Sequence, residues 1–298
     1  PDLATEITLQ PIKRFGFDAA ILFSDILTVA ESLGSELEFT EKIGPVINNP
    51  ISTLKDIQSL NSTPISLYSS FVYQAINQIK KSLPFHIPLI GFSGAPFTVA
   101  SYMIEGGSSQ HLKKTKTLIG THPKVVHVLL EKLTNETIQY LVDQINAGVD
   151  SIQIFDTWAG HLNFNDFEKF ALSYINTIVT TIKNKYPKIP ITIFSKHSTT
   201  FSPLICSLPI NCISLDWQTS LQWAINNIPK NVAIQGNLDP ATLLGKSDTI
   251  KNSVNQILST MKNRPGYIFN LGHGITPDVP IDNVSMVVEL VKQFDNSK

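Results

Sequence analysis

Seven short runs rich in β-branched residues recur along the chain, separated by longer stretches with helical periodicity. The runs are Ala19–Ser24, Ile87–Phe92, Ser151–Phe155, Ile191–Ser195, Cys212–Leu215, Val232–Gln235 and Tyr267–Asn270. Between them, apolar residues return at intervals of three and four, as over Leu129–Asn146 and Phe164–Lys185. Ala147-Gly148 marks the end of one helix, and Pro187 to Pro190 breaks another before the next run. Alternation of this kind predicts a parallel sheet buried on both faces by helices. Two architectures satisfy it, an open doubly wound sheet and an eightfold βα barrel.

The barrel places its chemistry at the C-terminal ends of the strands and typically needs about 250 residues. Polar residues gather at those ends here: Ser24-Asp25, Ser93-Gly94, Asp156-Thr157, Lys196-His197, Asp216-Trp217, Gly236-Asn237 and Gly272-His273. The expected fold is therefore α/β, a (β/α)8 TIM-type barrel. Seven runs are one short of eight, and the chain opens on Pro1-Asp2-Leu3-Ala4-Thr5-Glu6, which reads as a helix under way. The expectation is that the first strand lies upstream of Pro1. No shift in composition or flexible linker divides residues 1–298, so a single barrel domain is expected.

Composition narrows the function. A formal net charge of -1 removes the electrostatic case for binding nucleic acid. No window reaches the roughly 18 unbroken apolar residues of a membrane span. The two cysteines, Cys206 and Cys212, form no disulfide framework and favour a reducing compartment. They lie in neither a His-x-Cys nor a Cys-x-x-Cys pattern, so no metal site is expected. Nor is there a P-loop, a dinucleotide fingerprint or a Gly-x-Ser-x-Gly elbow.

Asp25 is the residue most out of place. It follows Ala19-Ala20-Ile21-Leu22-Phe23-Ser24 and precedes Ile26-Leu27, where an unpaired carboxylate costs several kcal/mol, on the order of other buried charges. It either caps the following helix or accepts N–H bonds from something entering the barrel mouth. Tyr102 falls on the helix after the turn Gly91–Pro96, where a tyrosine is commonly packed with its hydroxyl in water. Gly106-Gly107-Ser108-Ser109 reads as a mobile loop. Asp156 and Thr157 end a strand, and Asp156 is suited to capping the next helix. Asp239-Pro240 has the order of an N-cap followed by a first-turn proline. His273 sits between Gly272 and Gly274, which would let the backbone pass near a ligand with the imidazole at the rim.

Six segments, TLQPIKRFGFDAAILFSDIL, IGFSGAPFTVASYMIEGGSS, FDTWAGHL, LDW, IQGNLDP and NLGHGI, together resemble the uroporphyrinogen decarboxylase family in order and spacing from Thr8 to Ile275. The resemblance implies a single-domain βα barrel, usually a homodimer. Such a barrel decarboxylates the four acetate side chains of uroporphyrinogen III to give coproporphyrinogen III, on the route to haem and other tetrapyrroles. It implies no metal and no organic cofactor. By the same resemblance, Asp25 accepts the pyrrole N–H bonds and stabilises a protonated pyrrole. Tyr102 reaches a substrate carboxylate near the reacting acetate, Phe155 forms part of the apolar wall, Thr157 stands where relatives carry serine, and His273 binds a side-chain carboxylate.

One family feature is missing, an arginine-rich motif of the form Arg-Gln-Ala-Gly-Arg that binds substrate carboxylates. Only Arg14 and Arg264 are present, with lysines such as Lys196 as less specific substitutes. The expectation is that motif and first strand both lie upstream of Pro1, and that this chain alone is weak or inactive. Two other functions are compatible with such a barrel: a zinc- or corrinoid-dependent methyltransferase, and a catalytically impaired tetrapyrrole-binding fragment. The resemblance implies a cytoplasmic protein, or a plastid one in a plastid-bearing organism.

Overall fold

Ile152, Ile154, Ile191, Ile193, Ile213 and Ile234 are fully shielded from water. They occupy alternate positions on neighbouring strands, and each contributes about 1.5–3 kcal/mol by leaving solvent. A computed structural model of the chain describes residues 1–40 and 44–294. Its strands are β1 (Ala20–Ile21), β2 (Leu37–Thr40), β3 (Gly44–Ile47), β4 (Leu89–Gly94), β5 (Ser151–Asp156), β6 (Ile191–Ser195), β7 (Cys212–Ser214), β8 (Ala233–Gln235) and β9 (Tyr267–Ile268). Each of the seven expected runs overlaps a strand. The terminal ones are shorter than their runs: β1 and β9 each keep two residues.

β2 and β3 form a separate antiparallel hairpin, and the other seven strands make one parallel sheet in the order β1-β4-β5-β6-β7-β8-β9. That order never reverses, so there is no switch point of the doubly wound kind. A sheet wound always in one direction curls. A side-chain contact shows the curl directly: Gln235 on β8 donates to Gln153 on β5 at 3.3 Å, although two strands lie between them in the sheet. Both side chains therefore point into a shared concave interior. The first and last long helices, Asp2–Phe15 and Ile281–Gln293, also meet. Lys292 Nζ donates to the Gly16 carbonyl at 2.6 Å, at the end of the first helix. The architecture is of the TIM-barrel type with seven strands, β1 and β9 forming its edges.

Two segments differ from the expectation. Gly106 and Gly107 are not a free loop: Gly107 bridges Val46 of β3, and the Ile47 N–H donates to the Gly106 carbonyl at 3.1 Å. The glycines take positive φ there, and a Cβ on Gly107 would stand 2.8 Å from the Pro45 carbonyl. The stretch read as one helix over 164–185 has a π-helical segment, Phe167–Leu172, before its α-helical part, Ser173–Lys185. Here Phe167 stacks on Phe201 with ring centroids 3.9 Å apart, a core contact that periodicity alone does not reveal.

Arg264 has a purely structural environment. It is 7% exposed, and its guanidinium donates to the carbonyls of Pro229, Lys230, Val232 and Pro265 at 2.8, 3.2, 2.9 and 2.9 Å. These carbonyls lie just before β8 and β9, at the barrel end opposite the rim. Four carbonyl dipoles hold the cation in place of a carboxylate. Arg264→Met is expected to lower the unfolding free energy in urea by about 2–4 kcal/mol, since the carbonyls lose their donors while buried. A loss below about 0.5 kcal/mol would contradict this assignment.

Candidate active site

The first site residue lies just past the end of a strand. Along Ala20-Ile21-Leu22-Phe23, burial alternates: Ala20 and Leu22 are covered, whereas Ile21 and Phe23 are 45% and 54% exposed. The ladder extends one residue past β1, with the Leu22 N–H donating to the Ile90 carbonyl. Ser24 continues the outward set and hydrogen-bonds the hydroxyl of Tyr140, in the helix Pro123–Ala147. Ile21 and Phe23 make up the other set, and Asp25 follows them just past the strand's C-terminal end.

Asp25 is half-buried beyond these two exposed apolar side chains. Its Oδ1 accepts the Leu27 N–H at 2.6 Å, a turn that leads into the helix Thr28–Ser32. Asp25 is therefore not the helix cap: the cap position is Leu27, no side chain caps this helix, and the turn engages one of the two Asp25 carboxylate oxygens. Burial raises the pKa of Asp25 above the usual carboxylate value, with the Leu27 N–H opposing. Ionised Asp25 is therefore less stable here than in water.

The other expected residues gather on the same rim. Tyr102, on the helix Pro96–Glu105, packs edge-on against Trp158 with centroids 5.8 Å apart. Its pKa is raised chiefly by burial; a hydrogen bond with Trp158 opposes this and the Asp25 charge adds to it, so Asp25 and Tyr102 lie in one electrostatic neighbourhood. Phe155, on β5, meets Phe92 at 5.7 Å and Phe194 at 6.1 Å. Phe194 in turn meets His273 at 5.9 Å, and His273 meets Trp217 at 5.8 Å. The result is an aromatic wall running from β4 through β6 to the loop after β9. Thr157, half-buried, follows β5 in the turn before the short helix Ala159–His161. Burial lowers the pKa of His273, as does Lys196, with Asp216 opposing.

The glycines near these residues serve packing. A Cβ on Gly94 would lie 2.8 Å from Val99, and one on Gly272 would lie 2.3 Å from the Trp217 nitrogen, while Gly274 has open space. The close approach around His273 is therefore to the β7 loop. Neither arginine reaches this rim. Arg14 ends the helix that precedes β1, with its guanidinium over Phe15 at 5.9 Å, and Arg264 is held at the opposite end. Among the described residues, no three His, Cys, Asp or Glu side chains converge as a metal site, and no helix is long and apolar enough to cross a membrane.

Asp156 is not the helix cap expected of it. It is the last residue of β5, fully buried, and its Oδ1 accepts the Thr98 hydroxyl at 2.7 Å. Thr98 in turn accepts the Trp158 N–H at 3.1 Å, so a buried chain Asp156–Thr98–Trp158 fixes the β5 turn that carries Thr157. Oδ2 has no donor at hydrogen-bond geometry. Burial pushes its pKa up to about 7, against the pull of Thr98 and the Ala159 N–H. Sequence spacing could not show this contact between residues 58 apart. Asp239, by contrast, caps the short helix Pro240–Leu244 as read, accepting the Ala241 N–H.

Fold and rim together define a TIM-barrel-type protein with an acid set in an apolar cleft. The family model for uroporphyrinogen decarboxylase (URO-D) matches residues 1–294. Uroporphyrinogen decarboxylase of Vesicomyosocius okutanii is 46% identical over 99% of this chain and 85% of its own length. That of Legionella pneumophila (strain Paris) is 43% identical over 99% of this chain and 84% of its own. Among solved structures, a methyltransferase from Methanosarcina mazei superposes with a TM-score of 0.80 over 99% of this chain and 86% of that one, at 20% identity. A B12-independent methionine synthase from Shewanella sp. W3-18-1 gives 0.59 over 97% and 84%, at 13% identity. These two share the fold. The chain belongs to the uroporphyrinogen decarboxylase family.

A folded-state pKa above the unfolded value means that Asp156 favours folding while protonated. Stability from this group is full below about pH 4 and falls as pH rises toward about 7, where the carboxyl ionises inside the protein. Asp156→Asn keeps an acceptor for Thr98 and cannot ionise. The variant's melting temperature relative to the wild type is expected to climb between about pH 4 and pH 7 and then level off. A difference independent of pH would show that Asp156 is not held protonated.

Proposed function

We propose that this chain decarboxylates the four acetate side chains of uroporphyrinogen III to give coproporphyrinogen III, with no metal or organic cofactor. The observation that carries the reading is a family match over nearly the whole chain together with Asp25, a partly desolvated carboxylate in the segment that follows β1. The substrate is a flexible reduced macrocycle with pyrrole N–H groups directed at its centre. Those donors suit an acid that has one oxygen committed to its own turn and apolar walls on either side.

The chemistry follows from charge. A proton added to a pyrrole carbon makes the ring cationic. The bond between the acetate methylene and its carboxylate then breaks, its electron pair flows into the ring, and CO2 leaves. The exocyclic carbon takes a proton to become methyl, and the pyrrole carbon gives up the proton it first gained, so the ring returns to a neutral aromatic pyrrole with one proton consumed overall. Asp25, ionised and sheltered from water, stabilises the cation at the moment it forms, and low effective dielectric strengthens that attraction. Tyr102 orients the reacting acetate, Phe155 backs the ring, and Thr157 and His273 hold side-chain carboxylates.

Methyl transfer through a zinc-bound thiolate is less well supported. Cys206 lies before β7 and Cys212 is its first residue, at the end of the sheet away from the rim. Burial pushes their thiols up to about 11 and about 12, which opposes thiolate formation. In the same reading the chain acts as one domain and pairs as a homodimer. The bacterial relatives favour the cytoplasm over a plastid.

The test is formation of coproporphyrinogen from uroporphyrinogen. Asp25→Asn keeps an acceptor for Leu27 but removes the charge. It is expected to lower kcat/KM by roughly 10²–10³-fold, the scale for losing one preorganised electrostatic group. The same variant should melt no lower than the wild type, because ionised Asp25 opposes folding. Turnover within about threefold of the wild type would refute the role.

A further inference from the structure

An octacarboxylate substrate needs cations, and both arginines lie away from the rim. The structure collects other cations beside Tyr102. Lys196, just past β6, is half-buried with its Nζ over the Trp158 ring at 5.9 Å, and the same indole packs edge-on with Tyr102. Trp158 also packs on His161 at 5.6 Å, and His161 meets His197 edge-on at 6.1 Å. Two loops, after β5 and after β6, therefore place three cationic or N–H-donating side chains around one aromatic ring.

Their convergence is built into the backbone. At Gly160 a Cβ would stand 2.7 Å from the Lys196 carbonyl and 3.0 Å from the His197 ring, so only glycine lets the loops close to this distance. His197 adopts a left-handed backbone, φ 54°, fixed by its N–H bond to buried Asp216 at 2.6 Å. Asp216 also accepts the Thr219 hydroxyl at 2.7 Å, and its carboxylate is used in holding the loop. Among the described residues the ion pair found is Lys80–Asp150, remote from this rim, and neither Lys196 nor the two histidines pairs with a carboxylate. Burial lowers the pKa of His161, and the nearby lysines Lys116 and Lys196 add to that with no carboxylate opposing. A half-buried cation with aromatic support, two imidazole donors and no anion is arranged for an anion from outside.

We propose that Lys196, His161 and His197 form a carboxylate-binding subsite on the β5–β6 flank of the cleft, taking a side-chain carboxylate of the tetrapyrrole. The assignment rests on the function proposed above and extends it to residues to which the family resemblance gave no defined role. Lys196 supplies the charge, and the imidazoles supply directed N–H groups. Because the subsite touches side chains that the ring presents in several orientations, it acts on binding more than on the bond-breaking step.

The test compares Lys196→Gln and Lys196→Arg with Lys188→Gln, which removes an exposed lysine at the other end of β6. Lys196→Gln is expected to raise KM for uroporphyrinogen about tenfold while kcat changes by less than about threefold. Lys196→Arg should restore most of the affinity, and Lys188→Gln should match the wild type. A parallel fluorescence titration with uroporphyrin, the oxidised octacarboxylate, should show the same order in Kd. If Lys196→Gln and Lys188→Gln agree in both KM and Kd, the subsite is refuted. Should the wild type release no CO2, the proposed reaction falls, and the titration alone decides: weaker uroporphyrin binding by Lys196→Gln supports the subsite, and equal or absent binding overturns it.

Discussion

A carboxylate held in apolar surroundings is the constraint from which the rest of this molecule can be understood. Asp25 follows directly on a short strand end where Ile21 and Phe23 are exposed and Ala20 and Leu22 are covered, and its own turn to Leu27 fixes it there. The apolar neighbours raise its pKa, and the Leu27 N–H recovers part of that loss. A site of this type lowers the stability of the free protein in order to present a charge with little water around it. Such a conflict between local stability and environment is expected where function is located.

The barrel serves that charge in two ways. Its winding, always in one direction, curls the sheet until β5 and β8 face each other through Gln153 and Gln235. That curl makes an interior into which strand-end residues from distant parts of the chain can project. Its outer layer then fixes the strand ends. Asp156, Thr98 and Trp158 lock the turn after β5, and Asp216 locks the turn after β6. Both buried acids lie one layer behind the rim, and neither faces the cleft as Asp25 does.

Much of this was legible in the linear chain because β-branched runs and glycine or proline breaks are local signals. Each of the seven strands overlaps one of the seven runs, β4 and β5 running one or two residues past theirs, and polar residues follow them at the strand ends. Asp25 stood out by its neighbours alone. The hairpin β2–β3 was missed because Leu37-Glu38-Phe39-Thr40 is largely exposed and short, with no apolar face to mark it. The tie between that hairpin and Gly107 was missed for the same reason. Asp156 was misjudged as a cap because its partner, Thr98, is distant in sequence, and the four-carbonyl cradle of Arg264 comes from segments about 30 residues apart. Lys196 was legible as a less specific substitute for the missing arginines; the grouping around it comes from Gly160 and Trp158, which bring a second loop against it.

The Asp25 side-chain carboxyl, labelled with 13C, can be followed by NMR as pH is varied, with the Asp25→Asn protein used to assign its signal. The account predicts a midpoint above the ordinary aspartate value in the free protein, and a fall when a porphyrinogen occupies the cleft and its N–H groups favour the ionised form. An ordinary midpoint that does not move on binding would contradict it.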